Sequence, residues 1–433
     1  MKRILSLLLL GHLAASLTAQ ESWTLERCIQ YGMEHNIDLR EQAVETAFRS
    51  AVLREKVAAH FPVITATVAQ DWNWGRSVDM QELVIIRNKL TRATGASLNA
   101  SLPLFDGFAR HNERRAARKA VEGAALDEAA LRQALAIDIT RAYLQLMLAR
   151  QVESCARENH ATIVMQRERT ARLVEAGSQP KSALSEMEAQ VAAEKAALVE
   201  ASCQVRTAVQ ALSRLMNLDT QDGIPSGDAF AETEVPPAAP VLSRTQVEDW
   251  LWQDPRIRSA RKAIQSAGYR HAAAKGAFLP SLSLSAGYGT YYSSAADGSF
   301  RTQLGENRNP SLSLHLIVPV FDALQRVSQV RRTKLDLERS RLQAEKVCTR
   351  VEAEIRNATI EAENCCQKYL SAEETLRAMQ ELLSVTEAKY NLGAAPVLDY
   401  ILARNHHAKA LSDFLQAKWQ YLFQLKLLER YRQ

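Results

Sequence analysis

His406 and His407 are adjacent in a stretch of helical periodicity, so their rings point in different directions and do not converge on one metal ion. They read as surface histidines. Cys155 and Cys203 average to about position 179, beside Gly177. An antiparallel hairpin turning there brings them to similar heights, which makes them a candidate disulfide if both also face the same side. Cys365 and Cys366 are neighbours, and a bridge between them would strain a helix, so free or buried thiols are expected there. No zinc-protease helix motif, phosphate loop, nucleophile elbow or dinucleotide glycine pattern occurs. The expectation is therefore no catalytic set, no metal site, no cofactor and no enzyme.

The elements that position these residues begin with the N-terminus. Lys2 and Arg3 precede the apolar run Ile4 to Leu10, followed by small residues through Ala19, the pattern of a secretory signal peptide over 1–19. The first cysteine is Cys28, well past that cut, so N-terminal lipidation is not expected. No later segment reaches the ~18–20 apolar residues of a transmembrane helix, which leaves an exported chain that is soluble or crosses a membrane as strands. The net charge of +5 falls to +3 without Lys2 and Arg3, and no basic cluster is interleaved with aromatics, so nucleic acid is excluded as a partner.

The chain is written twice. Leu102-Pro103-Leu104-Phe105-Asp106 returns as Val318-Pro319-Val320-Phe321-Asp322, an offset of 216, and Gly177 with Pro180 returns as Gly393 with Pro396. Phe61-Pro62 returns as Leu279-Pro280, and Asn36-Ile37-Asp38-Leu39 as Asp254-Pro255-Arg256-Ile257. Each half reads helix, strand, strand, long helix, tight turn, helix. The expected domains are a first repeat over 20–218, a Pro/Gly-rich joining segment over 219–244 and a second repeat over 245–433.

No proline interrupts Asp106–Arg172 or Asp322–Asn391, so each reads as one helix of about 100 Å, and such a length needs a partner along its course. Heptads supply it. Leu184, Val191, Leu198, Val205 and Leu212 are spaced by seven, as are Leu135, Ala142, Ala149, Ala156 and Ile163. Gly177 and Gly393 suit left-handed helix ends, and Pro180 and Pro396 start the returning helices. Two hairpin tips follow, around Gly177, Ser178 and Pro180 and around Gly393, Ala394 and Pro396.

The segments 97–102, 281–286 and 311–316 alternate apolar residues with serine or other uncharged groups, and 63–74 alternates less cleanly. Trp72 and Trp74, like Tyr288, Tyr291 and Tyr292, sit near strand ends as a membrane-interface girdle would. A soluble sandwich is the competing reading, but its polar faces would not all be small and uncharged. Strands in hydrocarbon leave no unpaired edge, and closed membrane barrels begin at about eight strands, so four per chain demand at least two copies and three would give about twelve.

This order of elements, with the paired Pro103-Leu104-Phe105-Asp106 and Pro319-Val320-Phe321-Asp322 junctions and the tips at Gly177 and Tyr390-Asn391-Leu392-Gly393, resembles the TolC-like outer-membrane efflux family over nearly all of the mature chain. The resemblance implies a mostly α fold with membrane β: a long antiparallel coiled-coil helical barrel joined to a transmembrane β-barrel shared by a homotrimer, four strands per chain. It implies a place in outer-membrane lipid, extending into the periplasm. It also implies a periplasmic adaptor (membrane fusion) protein that contacts the tips, an inner-membrane RND or ABC pump, and passive export of small molecules or proteins. Tyr390 and Asp399 match positions that close the family's periplasmic aperture. Ala395, Leu402 and Ala183 depart from its charged partners, so closure by packing and a few hydrogen bonds is expected. A periplasmic coiled-coil adaptor or tether without a barrel is the alternative, although adaptors carry one hairpin beside compact strand-rich domains.

Overall fold

The computed structural model describes residues 23–78, 85–218, 236, 238 and 243–432. The expected signal peptide and nearly all of the joining segment lie outside them. Two compact units divide the chain: unit 1 holds the residues up to Gln42, Glu128–Pro255 and Cys348–Gln433, and unit 2 holds Ala43–Asp127 and Arg256–Val347.

The elements are α1 (Leu25–His35), α2 (Ile37–Ala58), β1 (Val63–Val78), β2 (Ile85–Phe105), α3 (Ala109–Glu175) and α4 (Lys181–Met216), then α5 (Arg244–Gln253), α6 (Pro255–Gly276), β3 (Ser281–Ser293), α7 (Phe300–Glu306), β4 (Asn309–Ile317), α8 (Gln325–Asn391) and α9 (Val397–Arg432). Helices α3 and α8 each run 67 residues unbroken, as the absence of proline requires, and α4 and α9 each run 36.

The single helix expected before each strand pair is instead two. At Asn36 the backbone N–H closes α1 onto the Gly32 carbonyl, while its side-chain oxygen accepts from the Leu39 N–H at 3.2 Å and so starts α2. At the matching place Asp254 closes α5 and Pro255 opens α6, where a residue without an N–H loses nothing. Ser243 and Gln246 form a reciprocal capping box at the start of α5.

In unit 1 the core gathers Cys28, Ile139, Leu146, Leu212 and Met216, all fully buried. The heptad seam on α3 is inside: Leu135, Ala142, Ala149 and Ile163 are buried and Ala156 is half-buried. On α4 the seam leucines and valines are half-buried apart from Leu212, which is buried together with Ala183, Met187, Ala201, Ser213 and Met216. Alanine at these places lets helix backbones approach closely.

In unit 2 the four strands form one antiparallel sheet in the order β1-β2-β3-β4. Each strand-to-helix junction turns on two successive left-handed residues, Gly107 (φ 66°) with Phe108 (φ 63°), and Ala323 (φ 49°) with Leu324 (φ 68°). The preceding aspartate holds each turn. Asp106 accepts from the Arg110 backbone at 3.0 Å and its guanidinium at 2.8 Å, and Asp322 accepts from the Arg326 backbone at 3.0 Å. Burial opposes ionisation of Asp106, but the Arg110 hydrogen bonds outweigh it and hold the carboxyl below its ordinary value. The Phe-Asp repeat is thus a device that reverses the chain from strand into helix.

Candidate functional site

Direct pairing puts opposed residues of an antiparallel sheet on the same face, so the register sorts every side chain. One face carries Thr65, Thr67, Ala69 and Asp71 of β1, Gly95, Ser97 and Asn99 of β2, Ser283, Ser285, Gly287 and Gly289 of β3, and Asn309, Ser311, Ser313 and His315 of β4. The other carries Ile64, Ala66, Val68, Leu98, Ala100, Leu102, Leu282, Leu284, Leu312, Leu314 and Leu316. Val68, Leu312 and Leu314 are 77%, 74% and 63% exposed, far more apolar surface than a soluble strand leaves open. The expected aromatic residues divide between the faces. Trp72, Trp74, Tyr288 and Tyr292 share the apolar face, whereas Tyr291 pairs with Gly95 on the serine-rich one.

At the other end of the strands Phe61, Phe108, Phe278 and Phe321 are exposed beside the strand-helix junctions. In the sequence Phe61 and Phe321 stand as repeat anchors, and nothing local marks them, or Phe108 and Phe278, as surface residues. From Ile64 to Trp74 this face of β1 runs ten residue steps, interrupted at Gln70, whose amide oxygen accepts from the Thr94 hydroxyl; the span is about 25 Å along a barrel axis at ordinary strand tilt, which matches the height of the apolar band of an outer-membrane barrel.

At the tips, both turns end in the same way. Gly177 (φ 72°) donates to Val174 O at 3.0 Å and Ser178 to Leu173 O at 2.8 Å; Gly393 (φ 73°) donates to Tyr390 O at 3.0 Å and Ala394 to Lys389 O at 2.8 Å. This pair of bonds satisfies the last helical carbonyls and needs a left-handed residue, which glycine supplies. Pro180 and Pro396 then stand immediately before α4 and α9.

The tips lie beside a polar and aromatic cluster. The buried Tyr390 stacks on Tyr400 with centroids 5.1 Å apart and shares a hydrogen bond of 3.3 Å with the hydroxyl of fully buried Thr170. Arg169 donates to Asn391 Oδ1 at 2.6 Å. Arg404, also buried, donates to Tyr400 Oη at 3.2 Å and to the Asn159 carbonyl at 3.1 Å, and Ile163, Met187 and Ile401 pack beneath the two tyrosines. Asp399 is exposed in the first turn of α9 and has no bonded partner among the described residues. So of the two aperture candidates, Tyr390 is tied across to α3 and Asp399 is left open. Thr170, Asn159, Tyr400 and Arg404 were not singled out in the sequence, because which side of a long helix meets which neighbour is not written locally.

The Cys155–Cys203 bridge is not made, and all six cysteines are free thiols. The heights are as expected, since Ser202 donates to Glu153 at 3.1 Å across the hairpin, but the sides differ. Cys155 lines a groove with Asn159, Ala197 and Leu415, while Cys203 is exposed with Arg206 against its sulfur at 3.1 Å. Burial pushes the Cys28 thiol up to about 12 and raises Cys155 and Cys365, keeping them protonated. His406 is exposed and His407 half-buried, its pKa lowered by burial and by the Arg404 charge.

Residues 29–218 and 247–431 match the family model described as outer membrane efflux protein. The alkaline protease secretion protein AprF of Pseudomonas aeruginosa is 25% identical over 76% of this chain and 67% of its own length. The outer membrane efflux protein BepC of Brucella suis is 24% identical over 76% of this chain and 69% of its own. Among solved structures, CusC, in a study of folding and transmembrane channel formation, superposes with a TM-score of 0.83 at 18% identity over 96% of this chain and 95% of its own.

Proposed function

Because the chain belongs to the outer membrane efflux protein family, whose members are outer-membrane channels extending into the periplasm, we propose that it is the channel subunit of a tripartite efflux or type I secretion system. In this reading three copies close one barrel, with β4 of each copy beside β1 of the next. A helical tunnel continues into the periplasm, and small molecules or proteins pass without chemistry by the subunit itself. The observation that carries it is the two-faced sheet: one face predominantly apolar, the other predominantly Ser, Thr, Asn and Gly with Asp71 and His315 among them and so suited to water, and outer strands β1 and β4 whose free edges hydrocarbon does not tolerate. The aromatic residues Trp72, Trp74, Tyr288 and Tyr292 form the outward girdle and the exposed phenylalanines the periplasmic one.

The tips at Gly177, Ser178, Pro180, Gly393, Ala394 and Pro396 contact a periplasmic adaptor, which couples the channel to an inner-membrane RND or ABC pump. Tyr390 restrains the aperture through Thr170, aided by Arg169–Asn391, and Asp399 faces the opening. This closure uses hydrogen bonds and stacking where the family uses charged partners. Deletion of the gene followed by drug, dye, metal and protein export assays tests the proposal. Loss of one class of export that the intact gene restores supports it; unchanged export of every class contradicts it.

A further inference from the structure

The outward end of the apolar sheet face carries an arginine, where a lipid-facing strand ordinarily carries none. Arg92 stands directly across from Trp72 in the β1–β2 ladder. Two residues on, Thr94 shares the face and pairs with Tyr292, whose ring meets Phe300 of α7 at 4.9 Å. The backbone of Arg92 is clamped to the start of the β3–β4 connection, its N–H donating to Ser294 Oγ and its carbonyl accepting from the Ser294 N–H, both at 2.8 Å.

That connection is itself rigid. The buried Gln303 amide donates to the carbonyls of Ser293 and Ala296 at 3.1 and 3.2 Å and accepts from the Ser293 N–H at 2.9 Å. It carries two further exposed cations, Arg301 beside Phe300 and Arg308 immediately before β4. Among the described residues none of the three guanidinium groups has a hydrogen-bond or ion-pair partner.

Cations on a lipid-facing surface are tolerated at the interface and not at the midplane, and an aromatic girdle marks the interface. A guanidinium carried on fixed backbone, on a face that also presents Trp72 and Tyr292, suits bidentate binding of a phosphate whose acyl chains lie along the adjoining apolar face. We propose that Arg92, with Arg301 and Arg308 and the rings of Trp72, Tyr292 and Phe300, binds the phosphorylated sugar headgroup of a glycolipid in the outward leaflet. The patch lies at the end of the strands away from the helices, which is the outward end when the helices are periplasmic, and its three exposed guanidinium groups match a sugar headgroup bearing two phosphates better than the single phosphodiester of a glycerophospholipid. This rests on the barrel reading above.

The test uses the purified full chain in detergent, mixed in turn with bisphosphorylated lipid A, dephosphorylated lipid A and phosphatidylglycerol, with retained lipid read by native mass spectrometry. Bisphosphorylated lipid A is expected to bind at least about tenfold tighter than either other lipid, and the R92Q/R301Q/R308Q variant to lose about tenfold, the loss of a charge-assisted bond. The single variant Arg92→Gln is expected to lose part of this and Arg92→Lys to keep most of it, each with the oligomer's gel mobility unchanged. Equal retention with and without phosphate, or variants that bind as the wild type does, overturns the site. Preferred binding of phosphatidylglycerol overturns the choice of glycolipid. A chain that sizes as a water-soluble monomer without detergent fails the barrel reading first and takes this site with it.

Discussion

Arg404 is the charged side chain most deeply committed to the tip cluster, bonded at once to Tyr400 and to the Asn159 carbonyl. Arg404→Ala removes charge-assisted bonds from a buried place and is expected to cost about 2–3 kcal/mol, read from the denaturant midpoint of the detergent-solubilised protein. Tyr390→Phe removes only the Thr170 bond and keeps the stack on Tyr400, so stability should change by at most about 1 kcal/mol while single-channel conductance rises. In unit 2, Glu122 lies 2.7 Å from both Lys119 and Lys262, whose hydrogen bonds lower its pKa from 4.5 to about 2. A lowered folded-state value stabilises above pH 4.5, and that stabilisation is lost as pH falls towards 2. Glu122→Gln should therefore cost about 1 kcal/mol at pH 7, given its partly exposed setting, and the difference from wild type should close below pH 4.5. The place of Tyr390 beside the tip was legible because its spacing from Gly393 is local. Its partner Thr170 was not, since that pairing depends on the rotation of a long helix about its axis. Cys203 failed for the same reason: Ser202 makes the contact across the hairpin, and one residue more turns the side chain about 100° away.

The elements are held by turns whose demands differ. At Gly107 a Cβ would collide with the Gly276 carbonyl oxygen, and the φ of 66° is itself unfavourable to other residues. At Gly177 the φ is similar but the space is open. Gly177→Ala is expected to cost about 1–2 kcal/mol from backbone strain alone, whereas Gly107→Ala adds a backbone collision and should reduce the yield of assembled protein several-fold, as heat-modifiable gel mobility would show. Within the unit 1 core, Ile139→Ala should cost about 2–5 kcal/mol, because Ile139 is fully buried and packed against Gly32. Strands, long helices and tips were legible because alternation, heptads and Gly/Pro punctuation are strong local patterns. The breaks at Asn36 and Asp254 were not, because a capping side chain within an otherwise helical pattern looks like any polar surface residue. Helix α7 escaped notice because seven residues give too little periodicity, and its anchor, Gln303, is defined by backbone carbonyls of the preceding turn.

For the whole molecule the decisive property is which sheet face meets lipid. Leu314 and Ser313 are neighbours on β4 with opposite directions. Leu314→Arg is expected to cost about 2–4 kcal/mol in the membrane and to deplete the protein from outer-membrane fractions, while Ser313→Arg should assemble normally and alter ion selectivity. The face pattern was legible in the sequence, but strand ends alone did not reveal that Tyr291 faces away from its neighbours. The copy number was never in the sequence, which requires only that four strands find partners. Sedimentation of the detergent-extracted protein in density-matched buffer therefore tests the central claim most directly. A complex of three chains, insoluble when detergent is removed, is the predicted result; a single chain that stays in solution without detergent would contradict it.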